Sequence, residues 1–243
     1  MRRTLRARAL HLIPAGLKRR LRRQLRVADM EFMLTRLRGA GFNPRTAIDV
    51  GAYRGNWTRL CREIFVDVPV LMIEPQIERK ADLECVSRDR PGCESVSAVL
   101  GKQSGQTRFL SEESNSRIVT DSTDQQYSAA TMLALRTLDS VVAGTPFQRA
   151  ELLKIDVQGA ELEVLAGGKA LLEQVEVVIL EMSVIPIGPV PLAFDVISYM
   201  RDRGFRLYDL GGFNYRPLDS ALWQIDGVFV REGSNLIASR EWC

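Results

Sequence analysis

Three acidic residues stand near the ends of short apolar segments, and they are the first candidates for binding and catalysis. Asp49 lies near the end of the first segment, Glu74 follows the second and Asp156 follows the third. An ionised carboxylate offers two oxygens as acceptors, so it can hold a ribose, attract a cation or take a proton from a substrate. The only histidine, His11, lies in a strongly basic segment. A histidine general base is therefore not expected.

The first acid precedes a turn that contains Gly51 and Gly55. Because glycine has no Cβ, such a turn lets a ligand approach backbone N–H groups closely. A dinucleotide site would need G-x-G-x-x-G, so that pyrophosphate can meet a helix N-terminus; here the two glycines are four residues apart. S-adenosylmethionine (SAM) carries an ammonium, a carboxylate and a sulfonium instead of pyrophosphate. An acid at position 49 suits its cationic groups.

The other two acids extend this prediction. Glu74 comes about twenty residues after the turn, where a carboxylate can accept both hydroxyls of a ribose; the alternative is a solvated glutamate at a strand end. Asp156 stands where a buried strand emerges, and open α/β sheets bind ligands at that edge. Glu161 follows on the next helix.

Short apolar runs alternate with helical patterns from residue 46 onward, which predicts βαβ units and a parallel sheet. The predicted strands are 46–50, 70–73, 95–99, 152–157, 175–180, 205–210 and 222–231, and the predicted helices are 57–64, 77–87, 160–173 and 192–203. Residues 111–130 are polar and predict a surface loop. The fold class is thus α/β and Rossmann-like, a mostly parallel sheet with a closing antiparallel strand and helices on both faces.

The charge distribution divides the chain. Residues 1–28 hold ten Lys or Arg and no acid, whereas the remainder carries 23 basic and 30 acidic residues. We predict a basic helical extension over residues 1–40 and one catalytic domain over 41–243. Leu17, Leu21 and Leu25 recur every four residues among the cations, a pattern typical of a basic amphipathic helix.

Such a helix contacts an anionic membrane surface or packs on the domain with a solvated basic face. The segment has neither the cleavage pattern of a secretory signal nor enough apolar residues to span a bilayer. The four cysteines show no metal-ligand spacing and are read as reduced thiols. We expect a cytoplasmic protein that lies at the inner face of the membrane if the basic helix binds lipid.

At these residues the chain resembles the FkbM family of SAM-dependent methyltransferases. The matching elements, which cover residues 45 to 231, are IDVGAxxG (48–55), IEP (73–75), TLD (137–139), LKIDVQGAELEVL (153–165), VILE (178–181) and DGVFVR (226–231). The turn departs from the family, since Tyr53 and Arg54 stand where a small polar residue is more common. The basic segment lies outside the resemblance.

The resemblance implies a class I methyltransferase fold and an O-methyltransferase that uses SAM and acts on a hydroxyl of a sugar, glycolipid or natural product. The predicted cofactor-binding residues are Asp49, Gly51, Tyr53, Gly55, Asn56, Glu74 and Ala98. Asp156 is the first candidate for orienting the hydroxyl and receiving its proton, with Glu161 and Glu181 as supports. Two alternatives stay open: Asp156 holds the methionyl ammonium or caps the next helix, or Asp139, Asp156 and Glu181 gather a divalent cation.

Competing functions are also open. The chain could be a non-catalytic Rossmann-like binding protein that uses its basic tail for an anionic partner. A dehydrogenase is disfavoured by the missing G-x-G-x-x-G. Nucleic acid is not an expected partner, because the basic residues lie in the tail while the remainder of the chain is net acidic. The expected partner is a hydroxylated small molecule or a lipid-linked sugar acceptor.

Overall fold

A computed structural model describes residues 28–112, 116–119, 130–188, 190–237 and 239. The predicted amphipathic helix of the basic segment lies outside the described residues, as does Cys243.

The helices and strands of the described part are numbered here in chain order. The strands are β1 Ala47–Val50, β2 Val70–Ile73, β3 Cys93–Val96, β4 Val99–Leu100, β5 Gly105–Leu110, β6 Arg117–Val119, β7 Thr131–Arg136, β8 Leu152–Ile155, β9 Val177–Ser183, β10 Phe205–Tyr215 and β11 Leu222–Arg231. The α-helices are α1 Met30–Gly39, α2 Asn56–Ile64, α3 Lys80–Asp89, α4 Leu138–Val142, α5 Glu161–Ala166, α6 Lys169–Leu172 and α7 Ala193–Arg201. Short 3-10 turns occur at Ile77–Arg79, Pro146–Arg149 and Asn235–Ile237.

Seven strands form the main sheet in the order β10-β11-β9-β8-β1-β2-β3. Strands β3, β2, β1, β8 and β9 are parallel, whereas β11 and β10 are antiparallel to their neighbours. Every residue of β1, β2 and β8 is buried, as expected for parallel strands covered on both faces. This topology confirms the predicted Rossmann-like fold with an antiparallel closing strand.

The strand register brings the candidate acids to one edge. Val50 pairs with Ile73 on β2 and with Ile155 on β8, so all three strands end at the same level. The residues that follow them are Gly51, Glu74 and Asp156. The carboxyl edge of the sheet therefore collects the segments that the sequence singled out.

Helix α1 belongs to the packed core. Asp29 caps its N-terminus, accepting a hydrogen bond of 3.0 Å from the Phe32 N–H, and its residues Met33, Leu34 and Leu37 are buried with the side chains of α2 and of the main sheet. The Ala28 carbonyl accepts a hydrogen bond of 2.8 Å from the N–H of Gly212 on β10. The described chain thus begins directly beside β10.

A second sheet was absent from the sequence prediction. It has the order β4-β7-β5-β6, so the predicted strand 95–99 is wrong at its end: the chain leaves the main sheet after Val96 and begins β4 at Val99. The predicted loop 111–130 is wrong at residues 117–119, which form β6. Strands β5 and β7 mix polar and apolar residues and are largely exposed or half-buried, so they carry little of the apolar signal on which strand prediction depends.

The predicted helix 160–173 is interrupted between α5 and α6. At Gly167 an added Cβ would lie 2.2 Å from the carbonyl oxygen of Gly101, so the second sheet packs directly on the helix end. The next helix, α6, is capped from a distance by Asp139 of α4, whose carboxylate accepts hydrogen bonds of 2.9 Å from the N–H groups of Ala170 and Leu171. Glycines and a distant cap therefore divide one helical pattern into two helices.

Candidate functional site

A cavity of about 520 Å³ opens at the carboxyl edge of the main sheet. Four of the predicted cofactor residues line it, namely Gly51, Tyr53, Glu74 and Ala98, together with the candidate acids Asp156 and Glu181. Its volume lies in the range of small-molecule sites. The cavity brings together most of the predicted site.

Glu74, directly after β2, accepts hydrogen bonds from two backbone segments, the turn after β1 and the residues that follow β2. Its Oε2 accepts a hydrogen bond of 2.8 Å from the Tyr53 N–H, and its Oε1 accepts one of 3.0 Å from the Gln76 N–H. The residue is only 5% exposed, and burial raises the pKa of its carboxyl while the two backbone donors lower it. Tyr53 has a left-handed φ of 49°, a conformation that costs free energy in a non-glycine residue and that places its N–H on Glu74.

The two glycines of the turn are required by protein packing. An added Cβ at Gly51 would lie 1.9 Å from the Asp156 carbonyl oxygen, and one at Gly55 would lie 2.7 Å from Val86 Cγ2. Both residues have positive φ angles. Gly51 lines the cavity, whereas Gly55 is buried beneath the turn and does not.

A buried lysine lies among the strand-end acids. Lys154 Nζ is 3.2 Å from Asp49 Oδ1 and 3.5 Å from Asp156 Oδ2, and it donates a hydrogen bond of 3.0 Å to the carbonyl of Gly51. Asp49 is fully buried and also accepts a hydrogen bond of 2.8 Å from the hydroxyl of Thr58. Burial lowers the pKa of Lys154, but the charges of Asp49 and Asp156 outweigh it and the net shift is upward. Asp49 does not line the cavity and is linked to Asp156 through Lys154.

Two further acids complete what we call the lysine cluster, defined as Lys154 with Asp49, Asp156, Glu181 and Asp226. Glu181 and Asp226 are directly opposite each other on β9 and β11. Burial, followed by the charge of Asp156, raises the pKa of Glu181 to about 9 and that of Asp226 to about 7. Burial and the surrounding negative charge therefore favour the protonated form of both carboxyls.

Two amide side chains connect the acids. Gln158 Nε2 donates to Asp156 Oδ1 at 3.0 Å and to Glu181 Oε2 at 2.8 Å, and Gln224 Nε2 donates to the same Glu181 oxygen at 2.8 Å. Sequence reasoning assigned no role to Lys154, Gln158, Gln224 or Asp226. Lys154 and Gln158 lie within the family-specific element LKIDVQGAELEVL, whose pattern could have drawn attention to them. No local pattern shows that β11 lies beside β9.

Glu161 holds the loop that follows β8. Its Oε1 accepts hydrogen bonds of 3.1 Å from the N–H groups of Val157 and Gly159, and its Oε2 accepts one of 3.1 Å from Gly159. The residue is 4% exposed and does not line the cavity. Its contacts are those of a positioning residue for the segment that carries Asp156 and Gln158.

The alternative in which Asp139, Asp156 and Glu181 gather a divalent cation is not supported by the structure. Asp139 caps α6, as described above. Within the described residues, no group of three or more His, Cys, Asp or Glu side chains is arranged to hold a metal ion.

A second cavity, of about 420 Å³, lies beside the first. It shares Gly51, Tyr53, Asp156 and Glu181 with the first cavity and adds residues of α1 and α2, among them the predicted cofactor residue Asn56. Asn56 therefore lies on the α2 side of the turn, away from Glu74.

Membrane-spanning helices are not found in the described part of the chain: none of its helices is both long and apolar enough to cross a bilayer.

The sequence matches the family model of the methyltransferase FkbM domain over residues 49–207. No curated protein matches the chain.

Solved structures of methyltransferases are similar in part. Magnesium protoporphyrin IX methyltransferase from Synechocystis PCC 6803 with bound SAM is 12% identical, with a TM-score of 0.49 over 82% of this chain and 76% of that one. The 1,6-didemethyltoxoflavin-N1-methyltransferase from Burkholderia thailandensis is 11% identical, with a TM-score of 0.47 over 83% and 78%. Precorrin-6y C5,15-methyltransferase from Geobacter metallireducens GS-15 is 8% identical, with a TM-score of 0.45 over 83% and 85%. Likenesses of this size carry no information about the acceptor.

Proposed function

Because the chain belongs to the FkbM family of SAM-dependent methyltransferases, we propose that it methylates a hydroxyl oxygen of a sugar-containing acceptor, on a glycolipid or a natural product. The observation that carries this proposal is the position of Asp156. It lines the first cavity, and its side chain is 37% exposed. It is therefore open to an incoming hydroxyl while Lys154 and Gln158 hold it in place.

The first cavity fits the cofactor by the chemistry of its lining. Each oxygen of Glu74 accepts one backbone hydrogen bond, and a carboxylate oxygen can accept more than one, so both remain available to ribose hydroxyls. Gly51, Tyr53 and Ala98 provide the backbone and apolar surface around it. When bound, SAM supplies an activated methyl group on a sulfonium centre.

The chain's own residues have two tasks in this reaction. The first is orientation of the acceptor hydroxyl, and alignment of reacting groups can contribute about 7 to 11 kcal/mol. The second is acceptance of the hydroxyl proton, which we assign to Asp156. Burial and the charge of Asp156 favour the protonated form of Glu181, which shares the Gln158 amide with Asp156. Glu161 supports both tasks by holding the loop.

The outer wall of the cavity suits a sugar ring. It includes the aromatic side chains Tyr215 and Trp223 and the amide of Asn214. Aromatic faces pack against the apolar faces of a ring, and amides both donate and accept hydrogen bonds with hydroxyls.

This assignment is tested in two steps. Isothermal titration with SAM measures cofactor binding, and a radiolabelled methyl-transfer screen then compares hydroxylated glycolipids with analogues in which the hydroxyl is replaced by an amine or by hydrogen. The proposal requires labelled ether products from the hydroxylated compounds. Transfer only to the amines would overturn the hydroxyl assignment and leave the family membership intact.

A second part of the proposal concerns the surface where the acceptor is presented. The described chain begins at Ala28 beside β10, and the β10–β11 hairpin exposes Phe213, Tyr215 and Leu218 close to the cavity, which Tyr215 also lines. We propose that residues 1–28, with ten cations, bind an anionic membrane surface on this side of the molecule. Each cation near such a surface contributes about 1 kcal/mol.

Co-sedimentation with anionic liposomes tests the membrane contact. We expect binding that weakens as salt increases and that is lost when residues 1–26 are deleted, with SAM affinity unchanged. Failure of the full-length chain to sediment at low salt would show that the basic segment serves another partner.

A further inference from the structure

A third cavity, of about 630 Å³, lies beside the first one, between the second sheet and α5. Its wall is mainly apolar and is formed by Ile118, Val119, Leu135, Leu162, Val190 and Pro191. The ion pair between Lys102 and Glu163, 3.6 Å apart, lies among the residues that line it. We propose that this cavity binds an apolar chain of the acceptor, an acyl or isoprenoid group attached to the sugar that is methylated.

The first argument is continuity with the reaction site. The third cavity and the first cavity, which we also call the cofactor cavity, share four lining residues, namely Arg117, Ile118, Gln158 and Ala160. Gln158 is the closest connection, because its amide lies 3.0 Å from the Asp156 carboxylate. A molecule with one end in the third cavity can therefore present its other end to Asp156.

The second argument is the construction of the wall between the two cavities. Gln158 has a left-handed φ of 55°, and Gly159 has a φ of 105°. A Cβ added at Gly159 would lie only 2.6 Å from Val190 Cγ1. Glu161 holds this segment from below through the N–H groups of Val157 and Gly159. The chain thus maintains a thin backbone wall, with the polar Gln158 amide directed at the acids and apolar residues on the far side.

The third argument is the chemistry of the lining. The side chains of Ile118, Leu135 and Leu162 are only half-buried although they are apolar. Apolar surface of this kind gains free energy when it is covered by an apolar ligand. The volume lies within the range of small-molecule sites. A free sugar has too few apolar groups to cover such a wall, whereas an alkyl chain covers it, and the charged lining residues Lys102 and Glu163 pair with each other.

This inference rests on the proposed function for the identity of the acceptor, but its test is a binding test. The probe is 11-(dansylamino)undecanoic acid, whose fluorescence increases when its chain is buried. Octyl β-D-glucoside, below its micellar concentration, is the competitor, and methyl β-D-glucoside is the matched competitor without the chain. We expect the octyl compound to displace the probe, the methyl compound to leave it bound, and S-adenosylhomocysteine not to compete.

Two variants fill the cavity from opposite walls. Leu162→Trp acts from α5 and Thr107→Trp from β5, and neither residue lines the cofactor cavity. Each should weaken probe binding by about tenfold or more, equivalent to about 1.4 kcal/mol, with SAM affinity unchanged. Met132→Trp is the control, because Met132 lies on the same sheet, is exposed and lines neither cavity.

The outcomes separate this inference from the proposed function. Probe binding that is lost in both tryptophan variants supports the subsite even if no methyl transfer is found. Absence of probe binding, displacement by S-adenosylhomocysteine, or unchanged affinity in a folded tryptophan variant overturns it. Binding that appears only after residues 120–129 are shortened also overturns it, because that segment would then be the occupant.

Discussion

The acids at the carboxyl edge of the sheet belong to two groups that differ in what neutralises them. Glu74 and Glu161 accept hydrogen bonds from backbone N–H groups and hold a turn and a loop. Asp156, Glu181 and Asp226 belong to the lysine cluster, in which one buried cation faces several carboxyls. The difference teaches that backbone donors partly offset the rise in pKa that burial causes at Glu74 and Glu161, whereas neighbouring carboxyls add to that rise at Glu181 and Asp226.

The most severe way to break the lysine cluster is to remove its cation. Lys154→Met would leave Asp49 fully buried without its ion pair, and breaking a buried pair costs about 3 to 5 kcal/mol. Urea unfolding at pH 7 measures the loss.

The matched control for this change is Lys102→Met. Lys102 pairs with Glu163 at 3.6 Å with both side chains more than half exposed, so its removal should cost no more than about 1 kcal/mol. Equal losses in the two variants would mean that the cluster does not depend on its lysine.

The next largest effect is expected at Asp156. Asp156→Asn keeps an amide of the same shape but cannot accept the hydroxyl proton, so turnover should fall by about 10²-fold or more. SAM affinity and the urea midpoint should change little. Steady-state kinetics with Asp139→Asn as the control tests this, because Asp139 caps a helix away from the cavity. Near-normal turnover in Asp156→Asn would assign Asp156 to a structural role.

A change at Glu74 should weaken SAM binding and leave turnover largely unchanged, whereas the change at Asp156 should lower turnover. Glu74→Ala removes the acceptor of the Tyr53 and Gln76 N–H groups and the proposed ribose contacts, and hydrogen bonds to charged groups contribute about 1.5 to 3 kcal/mol. Calorimetry should show weaker SAM binding by that amount, with turnover at saturating SAM largely kept. Unchanged affinity in the folded variant would remove Glu74 from the cofactor site.

The smallest expected effect is a pH dependence of stability. Because folding raises the pKa of Asp226 to about 7, from an unfolded value of about 4, the stabilisation from its protonated form is fully present below about pH 4 and is lost as the pH rises through the folded value. Between pH 6 and 9, the unfolding free energy should fall by about 1 to 2 kcal/mol less in Asp226→Asn than in the unmodified chain.

The remaining groups of the cluster set the background for that measurement. Asp226 faces Lys154 on β8, Asp156 directly after β8 and Glu181 on β9. The charge of Asp226 also raises the pKa of Glu181, so only the part of the pH dependence that comes from the burial of Glu181 and the charge of Asp156 should persist in Asp226→Asn. A slope identical to that of the unmodified chain would show that Asp226 is ionised throughout this range.

Sequence reasoning succeeded where the signal is local. The buried strands β1, β2 and β8 are continuous apolar runs, and each leads directly into a site segment, so both the parallel sheet and the positions of Glu74 and Asp156 could be predicted. It failed for the second sheet, because β5 and β7 are half-exposed and mix polar with apolar residues. It also missed Asp226, which reaches the site only through the antiparallel pairing of β11 with β9.

By itself, the sequence determined the Rossmann-like fold, the family and the edge of the sheet at which the candidate site residues lie, since strand periodicity and glycine turns are encoded within a few consecutive residues. Only the tertiary structure decided which acids are anchored by backbone donors and which share Lys154. A carboxyl's protonation depends on its burial and on charges within a few ångströms, and those neighbours come from strands far apart in the chain.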